Sequence, residues 1–434
     1  MTDNANTITT VGIIGLGYVG LPLATAFAEA GLQVVGYDLS ESKVESIRAG
    51  GSYIEDVPSD RLGALVRSGA LEATTDPGRL ADCGALLICV PTPLGEYREP
   101  DLDYVLAATE TALANLAPGA LVVLESTTWP GTTREVLAPM LEAAGLKIGD
   151  DAYLAFSPER VDPGNTRWGI RETPKVVGGL TPACLQRAQA LYAVICDTVH
   201  PVSTPESAEM SKIIENTFRA VNIALVNELA ILADRMGIDI WEAIEASATK
   251  PFGFMPFWPG PGLGGHCIPI DPFYLAWRAR AFDMDSEFVE LAGRVNVNMP
   301  YYAVSRIARS LNERGKAVRD AKVLLLGMAY KADVGDLRES PSLKLLELLR
   351  EEGAAVTYHD PHVAALPDEG LSSVRLTTER LVEADCVVIA TDHEAIDMAA
   401  VVEHADLVVD LRNAVRHRLS GGTSGSVPPN VDVL

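Results

Sequence analysis

The sequence predicts an α/β protein with a parallel-sheet domain at each end, joined by a central helical region that contains one long connecting helix. Three observations predict it: a glycine-rich turn between an apolar strand and a helix near the start, a helical apolar periodicity about 30 residues long in the middle, and a second alternation of strands and helices after Ala321.

The first element is the apolar, β-branched run 9–14, followed by Gly15-Leu16-Gly17-Tyr18-Val19-Gly20 and a helical stretch over 21–30. Strand, GxGxxG and helix in this order place backbone N–H groups and a helix amino terminus where a pyrophosphate binds, which makes Gly15, Gly17, Tyr18, Val19 and Gly20 candidate cofactor contacts. The next strand, 33–37, ends in Asp38. An acid there hydrogen-bonds a ribose diol and would repel a 2′-phosphate, so the reading is a Rossmann domain that takes NAD rather than NADP. Two further strands, 85–90 and 121–124, end in Pro91-Thr92-Pro93 and Glu125-Ser126-Thr127. Ligands sit beyond the carboxyl ends of parallel strands, so Thr92 and Thr127 are candidates for the nicotinamide side; each alone is as readily a turn hydroxyl.

Ser203-Thr204-Pro205-Glu206 carries the marks of a helix start. Apolar residues then recur at Met210, Ile213, Ile214, Val221, Leu225, Leu229 and Leu232 up to Gly237, which is roughly 45 Å of helix. That length suits a connector between domains, with a second use as a dimer interface. A helix from Trp241, a loop dense in Pro, Gly and aromatics over 250–272 and further helices lead to Asn312. The second α/β pattern follows, with strands at 322–326, 355–358, 386–390 and 407–410 and a helix at 342–352; the Gly- and Ser-rich tail from Ser420 is expected to fray.

Length and composition agree with this plan. The chain has 434 residues, 48% hydrophobic and 22% charged, which is the composition of folded globular domains. Its 35 Lys and Arg against 59 Asp and Glu give a net charge of -24, which disfavours nucleic acid as a partner. No run approaches the roughly 18 apolar residues of a membrane span, and residues 1–10 lack the basic start and apolar core of a signal, so the expected location is cytoplasmic with no membrane partner. The six cysteines form no CxxC pair, which suggests neither a metal site nor a disulfide framework.

Cys267 stands apart from the other five. In Pro261-Gly262-Leu263-Gly264-Gly265-His266-Cys267-Ile268-Pro269-Ile270-Asp271 a thiol follows a glycine-rich bend, with a carboxylate four residues on. Beside an NAD fold, an accessible Cys suggests covalent aldehyde oxidation, in which thiolate adds to the aldehyde, hydride leaves to NAD and a thioester is hydrolysed; a buried Cys beside a turn is the plainer alternative. Lys212 and Asn216, spaced i, i+4, share one helix face and can stabilise an oxyanion or can be a solvated face. Glu159 in Ser157-Pro158-Glu159-Arg160 is a loop carboxylate or a base that activates water.

Five of these motifs, in order, resemble the UDP-glucose/GDP-mannose dehydrogenase family: Gly15 to Gly20; Ser157-Pro158-Glu159-Arg160; the helix with Glu209, Lys212 and Asn216; the Gly264 to Asp271 loop; and Tyr330-Lys331 followed by Arg338-Glu339-Ser340-Pro341. The resemblance implies an NAD-dependent, two-step oxidation of a sugar C6 hydroxyl to a carboxylate, with Cys267 as nucleophile and Asp271 supporting water activation and proton transfer. It further implies that Lys212 and Asn216 stabilise oxyanions, that Thr127 and Glu159 position water, that Gly264, Gly265 and Lys331 meet the nucleotide sugar, and that Arg338 reaches the cofactor. Where some branches of the family carry a second Glu shortly after the motif matching Ser157-Pro158-Glu159, the chain has Val161-Asp162-Pro163 and the role stays unassigned. The implied organisation is an NAD-binding domain over 1–202, a central helical and dimerisation region over 203–315, and a UDP-sugar-binding Rossmann-like domain over 316–434, in a homodimer.

Ile270, where UDP-glucose enzymes of the family usually have Lys, makes the loop similar to the branch oxidising N-acetylated UDP-hexosamines, especially UDP-N-acetylglucosamine; Arg294 stands where an acid is common in that branch. UDP-N-acetylmannosamine, UDP-N-acetylgalactosamine and UDP-glucose are the alternative substrates. A single-step dehydrogenase of the 3-hydroxyacid type and a catalytically silent nucleotide-binding regulator are the rival functions.

Overall fold

A computed structural model of the chain describes residues 8–54, 56–95, 99–161, 165, 167–265, 268–420 and 427–434. They pack into two compact units, Met1–Glu215 with Phe273–Asp285, and Asn216–Pro272 with Ser286–Leu434.

The first unit contains β1 (Thr10–Ile14), α1 (Gly20–Glu29), β2 (Gln33–Tyr37), α2 (Glu41–Arg48), α3 (Ser59–Ser68), β3 (Leu71–Thr74), β4 (Ala85–Ile88), α4 (Asp103–Ala114), β5 (Leu121–Leu124), α5 (Ala138–Ala143), β6 (Tyr153–Phe156), β7 (Lys175–Gly179), α6 (Pro182–Tyr192) and β8 (Val199–Val202). The strands form one sheet in the order β3-β2-β1-β4-β5-β6-β7-β8, parallel except where β6 meets β7. Both faces are covered. Val11 and Ile13 of β1 pack with Phe27 of α1 on one face, while Ile14 joins Leu86, Val122 and Phe156 on the other. Burial on both sides explains why these strands read as unbroken apolar runs such as Leu121-Val122-Val123-Leu124. The strand order reverses between β1 and β4, which opens a crevice at their carboxyl ends.

The long helix α7 (Pro205–Met236) runs 32 residues, close to the length that its periodicity predicts. Its cap is Thr204, whose hydroxyl accepts the Ser207 N–H at 3.2 Å, one residue later than the Ser203 spacing suggests. Gly237, at φ 70°, ends it. The apolar positions divide between two uses. Ile213 is buried, but Ile214, Phe218, Leu225, Leu229, Leu232 and Met236 are exposed and recur every three, four or seven residues along one stripe.

In the second unit, the remainder of α7 and α8 (Ile240–Ala248) precede the Pro- and Gly-rich loop, and α9 (Asp271–Ala279) begins at its end. Then come α10 (Glu287–Glu313), β9 (Lys322–Leu326), α11 (Pro341–Glu351), β10 (Ala355–His359), the short pair β11 (Ala365–Leu366) and β12 (Leu371–Ser372), α12 (Thr378–Glu383), β13 (Cys386–Ile389), α13 (Met398–His404), β14 (Val408–Asp410), α14 (Ala414–Ser420) and β15 (Val431–Val433). The five-stranded sheet β10-β9-β13-β14-β15 is parallel throughout. Val323, Leu325 and Val388 face Ile307 and Leu311 of α10 and Leu345 of α11, and Leu324 and Ile389 face Leu381 and Val401 on the opposite side.

The tail corrects one expectation. Residues 421–426 lie outside the described residues, but the chain beyond them does not fray: β15 adds a strand beside β14. The Trp241 indole N–H donates to the Leu434 carbonyl at 2.6 Å, and Arg306 pairs with Asp432. Three residues of strand after a run of Gly, Ser and Pro carry too short a pattern to be read ahead of these tertiary contacts.

Candidate active site

Each glycine of the first turn has a separate physical reason. Gly15 sits at φ 95°, and a Cβ there would lie 2.6 Å from the Cys89 carbonyl oxygen. A Cβ on Gly20 would lie 1.8 Å from the Gly15 carbonyl oxygen, so only glycine lets α1 start this close to the turn. Among the described residues, its chain neighbours aside, none comes within 4 Å of an ideal Cβ on Gly17, which leaves its approach open for a phosphate. Asp38 closes the arrangement: its carboxylate accepts the Leu16 N–H at 2.8 Å and the Ser40 N–H at 2.9 Å, with Lys43 3.5 Å away. Tyr18 and Val19 complete the turn, Tyr18 being 41% exposed. These residues fit NAD: glycine N–H groups and the amino terminus of α1 for its pyrophosphate, and Asp38 for the adenosine ribose.

At the carboxyl ends of β4 and β5, Thr92 is buried and Thr127 half-buried. The Ser126 hydroxyl donates to the Val90 carbonyl at 2.7 Å, tying the two strand ends together. Glu209 of α7 fastens the loop beyond Thr127, its carboxylate accepting the N–H groups of Gly131 (2.6 Å) and Thr133 (2.8 Å) and the Thr133 hydroxyl (2.6 Å).

Glu159 follows β6 and accepts the N–H groups of Arg160 and Val161 at 2.8 and 2.7 Å. Burial would raise its pKa, but the ammonium of Lys175, the Val161 N–H and the ammonium of Lys212 outweigh it and hold the carboxyl below the usual range. Lys212 thus stands close enough to act on Glu159. Lys175 forms a buried pair with Glu125, Nζ to Oε2 being 2.7 Å, and Tyr192 donates its hydroxyl to the other Glu125 oxygen. Burial raises the Glu125 carboxyl above its ordinary value, against the pull of Lys175. Nothing in the sequence reading assigns Glu125, Lys175 or Tyr192 a role. The one available signal is a Lys opening the apolar strand Lys175-Val176-Val177, where an ionic partner is required.

In the second unit, Asn216 and Asp271 are both buried, and the Asn216 amide donates to the Asp271 carboxylate. His266 and Cys267 lie outside the described residues. Their flanks are ordered by close packing: a Cβ on Gly264 would lie 2.5 Å from the Tyr330 Cβ, and Gly265, at φ 88°, donates its N–H to the Arg338 carbonyl at 2.9 Å. The loop that carries Cys267 therefore rests on the segment that carries Lys331 and Arg338. The Arg338 side chain forms a two-nitrogen pair with Asp336 at 2.6–3.0 Å. Arg412, also without a role in the sequence reading, has its guanidinium 2.6 Å from where a Gly260 Cβ would be, and burial lowers its pKa to about 10.

The other cysteines, Cys83, Cys89, Cys184, Cys196 and Cys386, are buried free thiols. Burial raises Cys83 to about 12 and Cys196 to about 11, so neither supplies a thiolate near neutral pH. Among the described residues, Asp333, His362 and His393 approach one another in a manner open to a metal ion. Both His393 ring nitrogens are already engaged, Nδ1 accepting the Asp333 N–H at 3.0 Å and Nε2 lying 3.1 Å from Asp360 Oδ2.

A doubly wound sheet with an open glycine turn, an acid at the second strand end and a second nucleotide-type sheet define an NAD-dependent oxidoreductase of nucleotide-linked substrates. The chain belongs to the UDP-glucose/GDP-mannose dehydrogenase family: the family's NAD binding domain matches residues 9–196, its central domain 206–298 and its UDP binding domain 324–417. It is similar to a UDP-N-acetyl-D-mannosamine dehydrogenase of Pyrococcus horikoshii, 37% identical over 88% of this chain and 89% of the relative. It is also similar to a UDP-N-acetyl-D-glucosamine 6-dehydrogenase of Pseudomonas aeruginosa, 37% identical over 82% of this chain and 83% of the relative. A solved structure of a UDP-D-ManNAc dehydrogenase from Pyrococcus horikoshii superposes with a TM-score of 0.88, at 33% identity over 98% of both chains. The chain is thus an oxidoreductase that acts on the CH–OH group of a UDP-sugar with NAD as cofactor. No helix among the described residues is long and apolar enough to cross a membrane.

Proposed function

We propose that the protein oxidises the C6 hydroxyl of a UDP-N-acetylhexosamine, UDP-N-acetylglucosamine first, to the uronic acid in two NAD-dependent steps. The observation that carries the two-step part of this reading is the buried Asn216–Asp271 pair at the end of the glycine loop that bears Cys267. A one-step alcohol dehydrogenase has no use for a thiol that the sequence sets between a run of glycines and this amide-bound carboxylate.

Bound NAD accepts a hydride in each oxidation. The residues of this chain do the rest. Lys212 and Asn216 stabilise the alkoxide and later oxyanions. The Cys267 thiolate adds to the C6 aldehyde and forms, after the second hydride transfer, a thioester. Asp271, fixed by Asn216, supports proton transfer, and Thr127 and Glu159 orient the water that hydrolyses the thioester. Gly264, Gly265 and Lys331 receive the UDP-sugar, while Gly15, Gly17, Tyr18, Val19, Gly20, Asp38, Thr92, Thr127 and Arg338 receive the cofactor. Acting on a cytoplasmic nucleotide sugar, the protein would work as a homodimer. The exposed stripe of α7 supports that assembly, because six large apolar side chains on one helix face need cover; a monomeric mass in light scattering would remove it.

The sugar is tested by turnover of UDP-N-acetylglucosamine, UDP-N-acetylmannosamine, UDP-N-acetylgalactosamine and UDP-glucose. The expected order puts UDP-N-acetylglucosamine highest in kcat/KM and UDP-glucose lowest. The likeness to the Pyrococcus horikoshii mannosamine enzyme favours the C2 epimer as the second reading, and a higher kcat/KM on it would replace the first.

A further inference from the structure

We infer that Lys175 is a positioning residue for the reaction: through a buried ion triad with Glu125 it clamps the Ser157-Pro158-Glu159 turn and keeps Glu159 an oriented anion. The inference rests on the proposed role of Glu159 in the water step and names what equips Glu159 for it.

Three partners surround the Lys175 ammonium. Nζ is 2.7 Å from Glu125 Oε2, 3.0 Å from the Pro158 carbonyl oxygen and 3.6 Å from Glu159 Oε2. Two of its three N–H donors are spent on hydrogen bonds to Glu125 and Pro158, and Glu159 stands at ion-pair distance. A buried ammonium needs its remaining protons satisfied beyond one carboxylate, and here the groups that do so belong to the Ser157-Pro158-Glu159 turn. These contacts fix the position of Glu159, the carboxylate of the pair with open surface. The Glu159 side chain keeps 18% of its surface exposed, against 5% for Lys175 and none for Glu125. Substrate and water can therefore meet Glu159 and not the two groups behind it.

The charges facing Glu159 come from several elements: Lys175 of β7, Glu125 after β5 and Lys212 of α7, with the thiols of Cys89 and Cys196 also within electrostatic reach. One of the two lysines sits behind Glu159 in a dry site, where an opposite charge holds a carboxylate ionised most strongly. Glu125 takes up its proton before Glu159 as the pH falls, because burial raises the first carboxyl while the lysines hold the second low, so Glu159 titrates beside a neutral Glu125. Tyr192 donates its hydroxyl to Glu125 and holds it in place.

Loss of the Lys175 charge, and not of the Glu125 carboxylate, should therefore move the acid limb of the kcat–pH profile. Lys175→Met should displace it upward by about 1–3 pH units, because the base then protonates more readily. Glu125→Gln, which replaces a group already neutral where Glu159 titrates, should leave it in place. In rapid mixing with UDP-sugar and NAD, Lys175→Met should also give a burst of two NADH per site followed by slow turnover, since thioester hydrolysis becomes limiting. A merely structural lysine would lower the melting temperature of Lys175→Met and leave its limb in place. If Lys175→Met does not fold, Lys175→Gln, which also removes the charge but keeps a polar contact to Glu125, is read on the same limb. Limbs that stay put in the lysine variants, or a Glu125→Gln limb that moves as far as theirs, overturn the inference. Glu159→Gln separates the two layers of the argument. Its expected loss in kcat is about 10²- to 10⁴-fold; a wild-type profile in that variant would remove the Glu159 role itself, whereas an impaired Glu159→Gln beside unmoved limbs would remove only the role of Lys175.

Discussion

Cys267→Ser protein should form no uronic acid at a measurable rate, a loss on the order of 10³-fold or more, while binding NAD as the parent does. A serine hydroxyl is far less acidic and less nucleophilic than a thiol, and an alkoxide is a poorer leaving group from the acyl intermediate than a thiolate. The other cysteines cannot substitute. All five are buried, and burial holds Cys83, Cys89, Cys196 and Cys386 above their ordinary values. Cofactor affinity should be unchanged because the glycine turn and Asp38 form their contacts without reference to the thiol loop. NAD titration by fluorescence and acid formation by chromatography check both halves. Full activity in Cys267→Ser would take the thiol out of the mechanism.

The second large effect separates two glycines three residues apart. Gly20→Ala puts a methyl group 1.8 Å from the Gly15 carbonyl oxygen, so α1 must shift or the turn must open. Overpacking of this kind costs about 1–3 kcal/mol, and the melting temperature should fall by several degrees. Gly17→Ala meets none of the described residues within 4 Å beyond its chain neighbours and should leave stability within about 0.5 kcal/mol of the parent. Its methyl group instead occupies the path of the pyrophosphate, and the KM for NAD should rise about 10-fold or more, the equivalent of roughly 1.4 kcal/mol. Calorimetry and NAD titration on the two variants give opposite patterns if Gly17 faces the cofactor. A Gly17→Ala protein with unchanged NAD affinity would place the pyrophosphate elsewhere.

These glycines also show what a sequence can disclose. GxGxxG after an apolar strand is legible because the geometry forbids side chains at Gly15 and Gly20, so the constraint is written into residue identity. The long helix is legible for a similar reason, since 32 residues of periodicity leave no competing element of that length. Periodicity alone does not, however, separate its buried from its exposed positions: Ile213 is buried, while Leu225, Leu229 and Leu232 lie on an exposed stripe. The ion triad was not legible. Glu125 and Lys175 are 50 residues apart, and the β6–β7 reversal that brings Lys175 beside Pro158 has no local signature. Glu209 is a similar case, since its contacts to Gly131 and Thr133 span more than 70 residues. Strand β8 escaped notice because Pro201 interrupts it, as an edge strand tolerates, and β15 because it is three residues long.

The net charge of -24 fits this picture. Small anionic ligands need local donors rather than a positive surface, and under the proposed roles these would be glycine N–H groups, the amino terminus of α1 and the cations Lys212, Lys331 and Arg338.

The central claim is that one site carries a C6 alcohol through two oxidations without releasing the aldehyde. The most direct measurement is the count of NADH formed per UDP-sugar consumed, with the sugar products identified in the same reaction. The account predicts two NADH for each sugar, one uronic acid and no free aldehyde at any time point. One NADH per sugar with an aldehyde in solution would contradict it and return the protein to a single-step dehydrogenase.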